Sequence, residues 1–262
     1  MTVMPWGLGL SGTLGKLGQD GGGRSWALAD LGASLLACWD AERADTLTLA
    51  GSLVSSWADT VGGLAAAQAS TSFKPAYSTT SFNGRPGITF DGTDDFLVNV
   101  ALAANALPTG ANPSEIWVLC NHTLAAAVAG NGTIFLYGSS GSNNRRTVRR
   151  IVGAGTVNRA QANVGTGGGA TAISDTVGDF SGYHVLVSKT DAVNSDIALE
   201  ANAPVSGAVV PNTLNSAIAI GAVTGGTGVF TGSINKILVT APLDSGQRAQ
   251  LLAYLKSIGG IA

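Results

Sequence analysis

Short apolar runs with a two-residue period, separated by breaks rich in glycine, serine and asparagine, recur from Leu35 to Thr240 of this chain. That rhythm constrains the fold to β-strands, because side chains alternate between faces along a strand and return every three to four residues along a helix. Leu35, Ala37 and Trp39 alternate with Leu36, Cys38 and Asp40, and Ile116, Val118 and Cys120 alternate with Trp117, Leu119 and Asn121. Both registers are largely apolar, so these strands are expected to be covered on both faces. Further strands are predicted at residues 133–137, 147–152, 183–189, 196–201, 217–220 and 232–240, with turn clusters at 138–144 and 165–169 between them. The spacing is that of a β-sandwich and not of alternating strands and helices.

One segment breaks the rhythm. Asp244 followed by Gln247 forms a capping box, Leu251, Leu252, Leu255 and Ile258 share one face, and Gly259-Gly260 stops the run, which predicts a helix at the end of the chain. The length of 262 residues suits a single sandwich with a small appendage. Charged residues are only 11% and mean hydropathy is +0.29, but no apolar run reaches the ~20 residues of a membrane helix, so no membrane insertion is expected. Net charge of −2 gives no general attraction to nucleic acid. The 37 glycines suit tight turns, and the sparse charge also suits a surface packed against other subunits, hence a homo-oligomer. Cys38 and Cys120 sit in strand-like contexts and are read as buried free thiols.

The first thirty residues differ from the rest. Gly7, Gly9, Gly12, Gly15 and Gly18 interleave with Trp6, Leu8, Leu10, Leu14 and Leu17 before a Gly21–Gly23 break. Glycine makes such a stretch costly to order alone, while its apolar residues gain from being covered, so residues 1–30 read as a docking arm ahead of a folded unit at 35–262. The stretch lacks the basic start and continuous apolar core of a secretory signal.

Two regions at opposite ends carry a family likeness. Trp39 and Asp40 lead into Leu47, Leu49, Val54 and Trp57; Pro86 and Phe90 then precede Asp91–Gly92, Phe96 and Leu97; and Ile234, Ile237 and Val239 run directly into the closing helix. Over roughly residues 35–260 this resembles the concanavalin A-like, laminin-G-like jelly-roll modules common in bacteriophage virion proteins and bacterial surface proteins. The resemblance implies an all-β jelly-roll sandwich with an extended N-terminal arm and a short C-terminal helix. It also implies a virion component, on tail fibre, spike or capsid surface, joined to other virion proteins through the arm and facing host-surface glycans. A free lectin-like carbohydrate-binding module is the alternative, and a glycan hydrolase is the less favoured one.

Two clusters are candidates for chemistry. Asp91, Asp94 and Asp95 place three carboxylates close together, the hard-oxygen chemistry of calcium, and related modules sometimes bind it. Asp-Gly is equally a hairpin signal, and the hairpin between 88–90 and 96–98 is the preferred reading, with no cofactor required. Arg145, Arg146, Arg149 and Arg150 could fork onto an anionic glycan or an acidic neighbour, with a solvated strand edge as the preferred reading. For catalysis, Glu42, Glu115 and Glu200 stand far apart, and His122 and His184 lack partners at metal-ligand spacing. His184 reads as a satisfied sheet residue and Trp117 as a buried one, so the chain is expected not to be an enzyme.

Overall fold

The computed structural model describes residues 26–103, 106–123, 131–138, 144–152, 158–165, 170–175, 180–191, 193–200, 202–208 and 216–262. In chain order the strands are β1 (Leu35–Asp40), β2 (Leu47–Ala50), β3 (Leu53–Ala58), β4 (Ala65–Ala67), β5 (Ala76–Phe82), β6 (Arg85–Asp91), β7 (Leu97–Asn99) and β8 (Ser114–His122). They continue as β9 (Gly132–Gly138), β10 (Arg145–Val152), β11 (Asn158–Gly165), β12 (Ala170–Ser174), β13 (Gly182–Thr190), β14 (Ser195–Leu199), β15 (Val205–Gly207), β16 (Ala217–Ile220) and β17 (Thr231–Thr240), followed by helix α1 (Ser245–Gly259).

All pairings between these strands are antiparallel. One half of the sheet runs β15-β14-β13-β8-β17, with β1 and then β6 along the far edge of β17 and β5 beyond β6. The other half runs β2-β3-β4-β7-β16-β9-β10-β11-β12. The halves pack face to face, with Trp39, Ile116, Val118 and Ile237 from the first meeting Trp57, Phe135, Tyr137 and Ile218 from the second. A bridge from Leu53 to Ala76 joins them, so the described strands form one continuous sheet and not the two separate sheets a sandwich pattern suggests. The opening and closing strands are neighbours, with Trp39 opposite Ile237.

The continuous apolar runs have the expected cause. In β8, Ile116, Val118 and Cys120 enter the core between the halves, while Trp117 and Leu119 face outward beneath α1 with Leu251, Leu255 and Ile258. Each such aliphatic side chain contributes roughly 1.5–3 kcal/mol when taken fully out of water. The helix forms as its local grammar predicts: Asp244 accepts from the Gln247 N–H at 2.8 Å, the Gln247 side chain returns the bond, and Gly260 closes the end at φ +65°.

Two expectations are corrected here. Asp91–Gly92 is not a hairpin turn: β6 pairs with β17 and β5, β7 pairs with β16 and β4, and the link crosses from one half of the sheet to the other. Phe90 and Leu97 then both reach the shared core, which a tight two-residue hairpin would not require. The boundary near residue 30 also moves. Trp26 packs on Tyr254 with ring centroids 5.3 Å apart, and Leu28 and Leu31 join the cluster beneath the helix, so the folded unit has begun by Trp26. The arm's anchors Trp6, Leu8, Leu10, Leu14 and Leu17 lie outside the described residues.

Candidate functional site

The acidic loop is drawn together by its own turn bonds. Asp91 Oδ1 accepts from the Thr93 N–H at 2.7 Å and the Asp94 N–H at 3.3 Å, and Asp95 Oδ2 accepts from the Asp91 N–H at 2.9 Å. One ligand atom from each of the three carboxylates lies within 4.8 Å of the others, a set that could grip a hard divalent cation. Burial pushes the Asp95 carboxyl up to about 6, and the neighbouring charges of Asp91 and Asp94 add to this, against the Asp91 N–H that favours the ionised form. Gly92 is demanded by position as well as by its φ of +80°, because a Cβ there would overlap the Thr231 hydroxyl.

The four arginines do not form one exposed patch. β10 lies between β9 and β11 and is no edge. Arg146 and Arg150 are buried, and the Arg146 guanidinium donates into the core to Ser114 Oγ at 2.7 Å, Tyr137 OH at 3.1 Å and the Ser188 carbonyl at 3.0 Å. Arg149 faces the opposite side and donates to Gln161 Oε1 at 2.6 Å. Alternation along a strand divides the cluster between two faces, which the bare repetition of arginines conceals.

The thiols are buried and free as read. Cys38 belongs to the layer beneath the helix and Cys120 to the central core, so they face different layers. Burial pushes Cys38 up to about 12 and also raises Cys120.

Each glutamate has a tertiary partner that sequence spacing could not reveal. Glu42 and Asp40 share the fully buried Lys236 ammonium, at 3.0 and 2.5 Å, and Arg85 adds a bond to Glu42 at 3.2 Å. Burial works against the Lys236 charge, but the Asp40 carboxylate, with Tyr254 and Glu42 adding to it, holds the ammonium above its ordinary pKa. Glu115 is buried, accepting from Trp117 Nε1 at 3.1 Å, from the Leu243 N–H at 3.1 Å and from the Arg248 guanidinium. Glu200 accepts from the Val185 N–H at 2.9 Å and faces His184 Nδ1 at 2.9 Å. His184 Nε2 meets the Ser181 carbonyl at 2.9 Å; both ring partners are acceptors, so both bonds form only with the doubly protonated ring.

One of these glutamates, Glu200, lines a cleft of about 530 Å³ between the first turns of α1 and the outer face of β13 and β14, and Glu115 pairs with Arg248 of its rim. Strand register builds its floor in rows. Trp117, Val187 and Ala198 stand side by side across β8, β13 and β14; the row towards the helix start is Glu115, Lys189 and Asp196; and Glu200 lies at the opposite end, next to Val185. Trp117 is only 1% exposed, so its ring offers no stacking face. Arg248, pinned on one side by Glu115, keeps 38% of its side chain exposed. Lys189 and Asp196 lie directly opposite one another, and neither side chain makes a hydrogen bond or ion pair among the described residues. Glu200 holds its place with φ at +48°, a left-handed conformation that costs a non-glycine residue energy and is concentrated at functional sites. An apolar floor ringed by a few convergent polar groups, at this volume, is the ordinary form of a small-ligand site. The cleft is not legible in the sequence because its walls come from β8, β13, β14 and α1; its local signal is a charged residue two positions from an apolar one on the same strand face, Lys189 after Val187 and Asp196 before Ala198.

No protein-family model matches the sequence, and no curated protein matches it. Among solved structures the chain is similar to a GH54 α-L-arabinofuranosidase, with TM-score 0.57 and 15% identity over 87% of this chain and 60% of that one. It is similar to the binding domain of botulinum neurotoxin serotype D, with TM-score 0.57 and 6% identity over 86% of this chain and 51% of that one. The receptor-binding domain of botulinum neurotoxin type G follows, with TM-score 0.50 and 12% identity over 84% and 51% of the two chains. The chain thus spans about 60% of the arabinofuranosidase's length, and at these identities the likeness speaks for the fold. It overturns the expectation that the chain is not an enzyme, since glycosidases carry this fold. The absence of a local glutamate pair was a poor reason for exclusion, because catalytic carboxylates converge in space from separate parts of a chain. The fold is one shared by arabinofuranosidases and toxin binding domains.

Proposed function

We propose that this chain is a carbohydrate-binding module, a concanavalin A-like jelly-roll sandwich that seats a glycan in the cleft beside α1. The observation that carries this reading is the cleft itself, where Lys189, Asp196, Glu200 and Arg248 surround the small apolar surface of Val187 and Ala198. Sugars present both hydroxyls and apolar C–H faces, and such a mixed lining matches them. The fold's occurrence in arabinofuranosidases and in toxin binding domains supports it. A glycan array probed with the full chain tests the reading; no retained glycan would refute it.

A second reading, hydrolysis of a glycosidic bond, is favoured by the arabinofuranosidase likeness and by the two carboxylates, Asp196 and Glu200, that line the same cleft. Release of reducing sugar from arabinose- or xylose-containing polysaccharides would establish it, and its loss in Asp196→Asn or Glu200→Gln would place it.

The setting is a bacteriophage virion, on tail fibre, spike or capsid surface, with residues ahead of Trp26 docking a homo-oligomer onto other virion proteins. This part rests on the sequence resemblance and on the glycine and leucine pattern of the arm. Deleting residues 2–25 should leave a cooperatively melting unit that no longer joins its particle, and normal assembly by the truncated chain would refute the docking role. Electron microscopy of labelled particles separates head from tail.

A further inference from the structure

We propose that the cleft selects neutral, hydroxyl-rich oligosaccharides and rejects anionic ones; this rests on the carbohydrate-binding reading above. Its rim carries charges of both signs, Lys189 and Arg248 against Asp196 and Glu200. Every cation there has an acid at hand: Lys189 stands opposite Asp196 in the strand register, and Arg248 is bonded to Glu115. An incoming carboxylate or sulfate would find an acid beside each cation, and would be brought next to Asp196 and Glu200, where like charge is penalised. A hydroxyl donates and accepts at once, so a neutral sugar can use both signs, with adjacent hydroxyls bridging a planar carboxylate or guanidinium.

Three further features fit. Neither the Asp196 nor the Lys189 side chain makes a hydrogen bond among the described residues, so a ligand can bond to them without breaking one. Glu200 has one carboxylate oxygen fixed by Val185 and His184, which aims the group before any ligand arrives. The main arginine cluster of the sequence is divided between two faces of β10, with Arg146 and Arg150 buried, and so supplies no cationic platform for an acidic glycan.

The test is calorimetric titration of the full chain with neutral hexasaccharides of xylose, glucose and mannose, and with oligogalacturonate and a sulfated oligosaccharide, in salt from about 50 to about 500 mM. At least one neutral probe should bind, each anionic probe at least about tenfold more weakly, with less than about a twofold change across the salt range. Asp196→Asn and Glu200→Gln should each weaken the neutral probe about tenfold, consistent with loss of a charge-assisted hydrogen bond. The Asp196 side chain makes no hydrogen bond among the described residues, so that variant should keep the parent melting temperature and report on binding alone. Preference for an anionic probe, or neutral binding untouched in both variants, would overturn the inference while the carbohydrate-binding reading stood. Silence from every probe would overturn both.

Discussion

Strand β6 starts beside one acidic cluster and ends in another, and the two have opposite fates. At its start, Arg85 joins Lys236 in neutralising Asp40 and Glu42. At its end, Asp91, Asp94 and Asp95 gather with turn N–H groups as their hydrogen-bond partners among the described residues, and Asp95 resists ionisation. The difference is one of reach. Lys236 lies 196 residues from Asp40 in sequence and meets it only because β1 and β17 pair in that register. The loop carboxylates are sequence neighbours and meet whatever the rest of the chain does. Proximity in sequence makes a cluster conspicuous, whereas proximity across strands decides whether its charge is compensated.

The largest effect should come from removing the cation that separates the two cases. Lys236→Met keeps the apolar stem but leaves Asp40 and Glu42 facing each other without their buried ammonium, and should cost about 3–5 kcal/mol in denaturant unfolding. Adding Asp40→Asn and Glu42→Gln to that variant should recover much of the loss. A mild single-variant effect would mean that the junction is as tolerant as the loop.

Next in size is Gly92→Ala. It demands a positive φ from alanine and drives a methyl group into Thr231, for an expected loss of about 2–3 kcal/mol. A neutral outcome would show that the crossing between sheet halves is slack at this point.

A smaller effect should appear on titration. With its carboxyl raised from 3.8 to about 6, Asp95 binds a proton more tightly in the folded protein than in the unfolded chain. Its contribution to stability is therefore complete below about pH 4 and is lost as pH rises through about 6. Asp95→Asn should flatten this slope between pH 4 and 7, read from melting temperatures across the range. An unchanged slope would move the titrating group elsewhere.

The smallest expected effect is that of calcium. At pH 7 millimolar calcium should stabilise the parent by no more than about 1 kcal/mol, with no gain in an Asp94→Asn, Asp95→Asn variant. A stabilisation several times larger would make the loop a structural metal site, and its absence would leave the turn bonds as the whole account of the loop.

The sequence by itself determined what depends on near neighbours. Helix α1 was readable because capping by Asp244 and Gln247, the spacing of Leu251, Leu255 and Ile258, and the stop at Gly260 all act within a few residues. β8, β13 and β17 were readable because alternation is local, and the buried thiols followed from it. β11 and β12 were not, since NRAQANVG and ATAIS are built from small and polar residues with little apolar contrast. Only the tertiary structure decided that Asp91–Gly92 crosses the core instead of turning back, that Arg146 points inward, that Lys236 serves Asp40, and that Lys189, Asp196, Glu200 and Arg248 edge one cleft. Each of these depends on which strands lie side by side and in what register, a choice settled by burial of the whole sheet and by no stretch of chain alone.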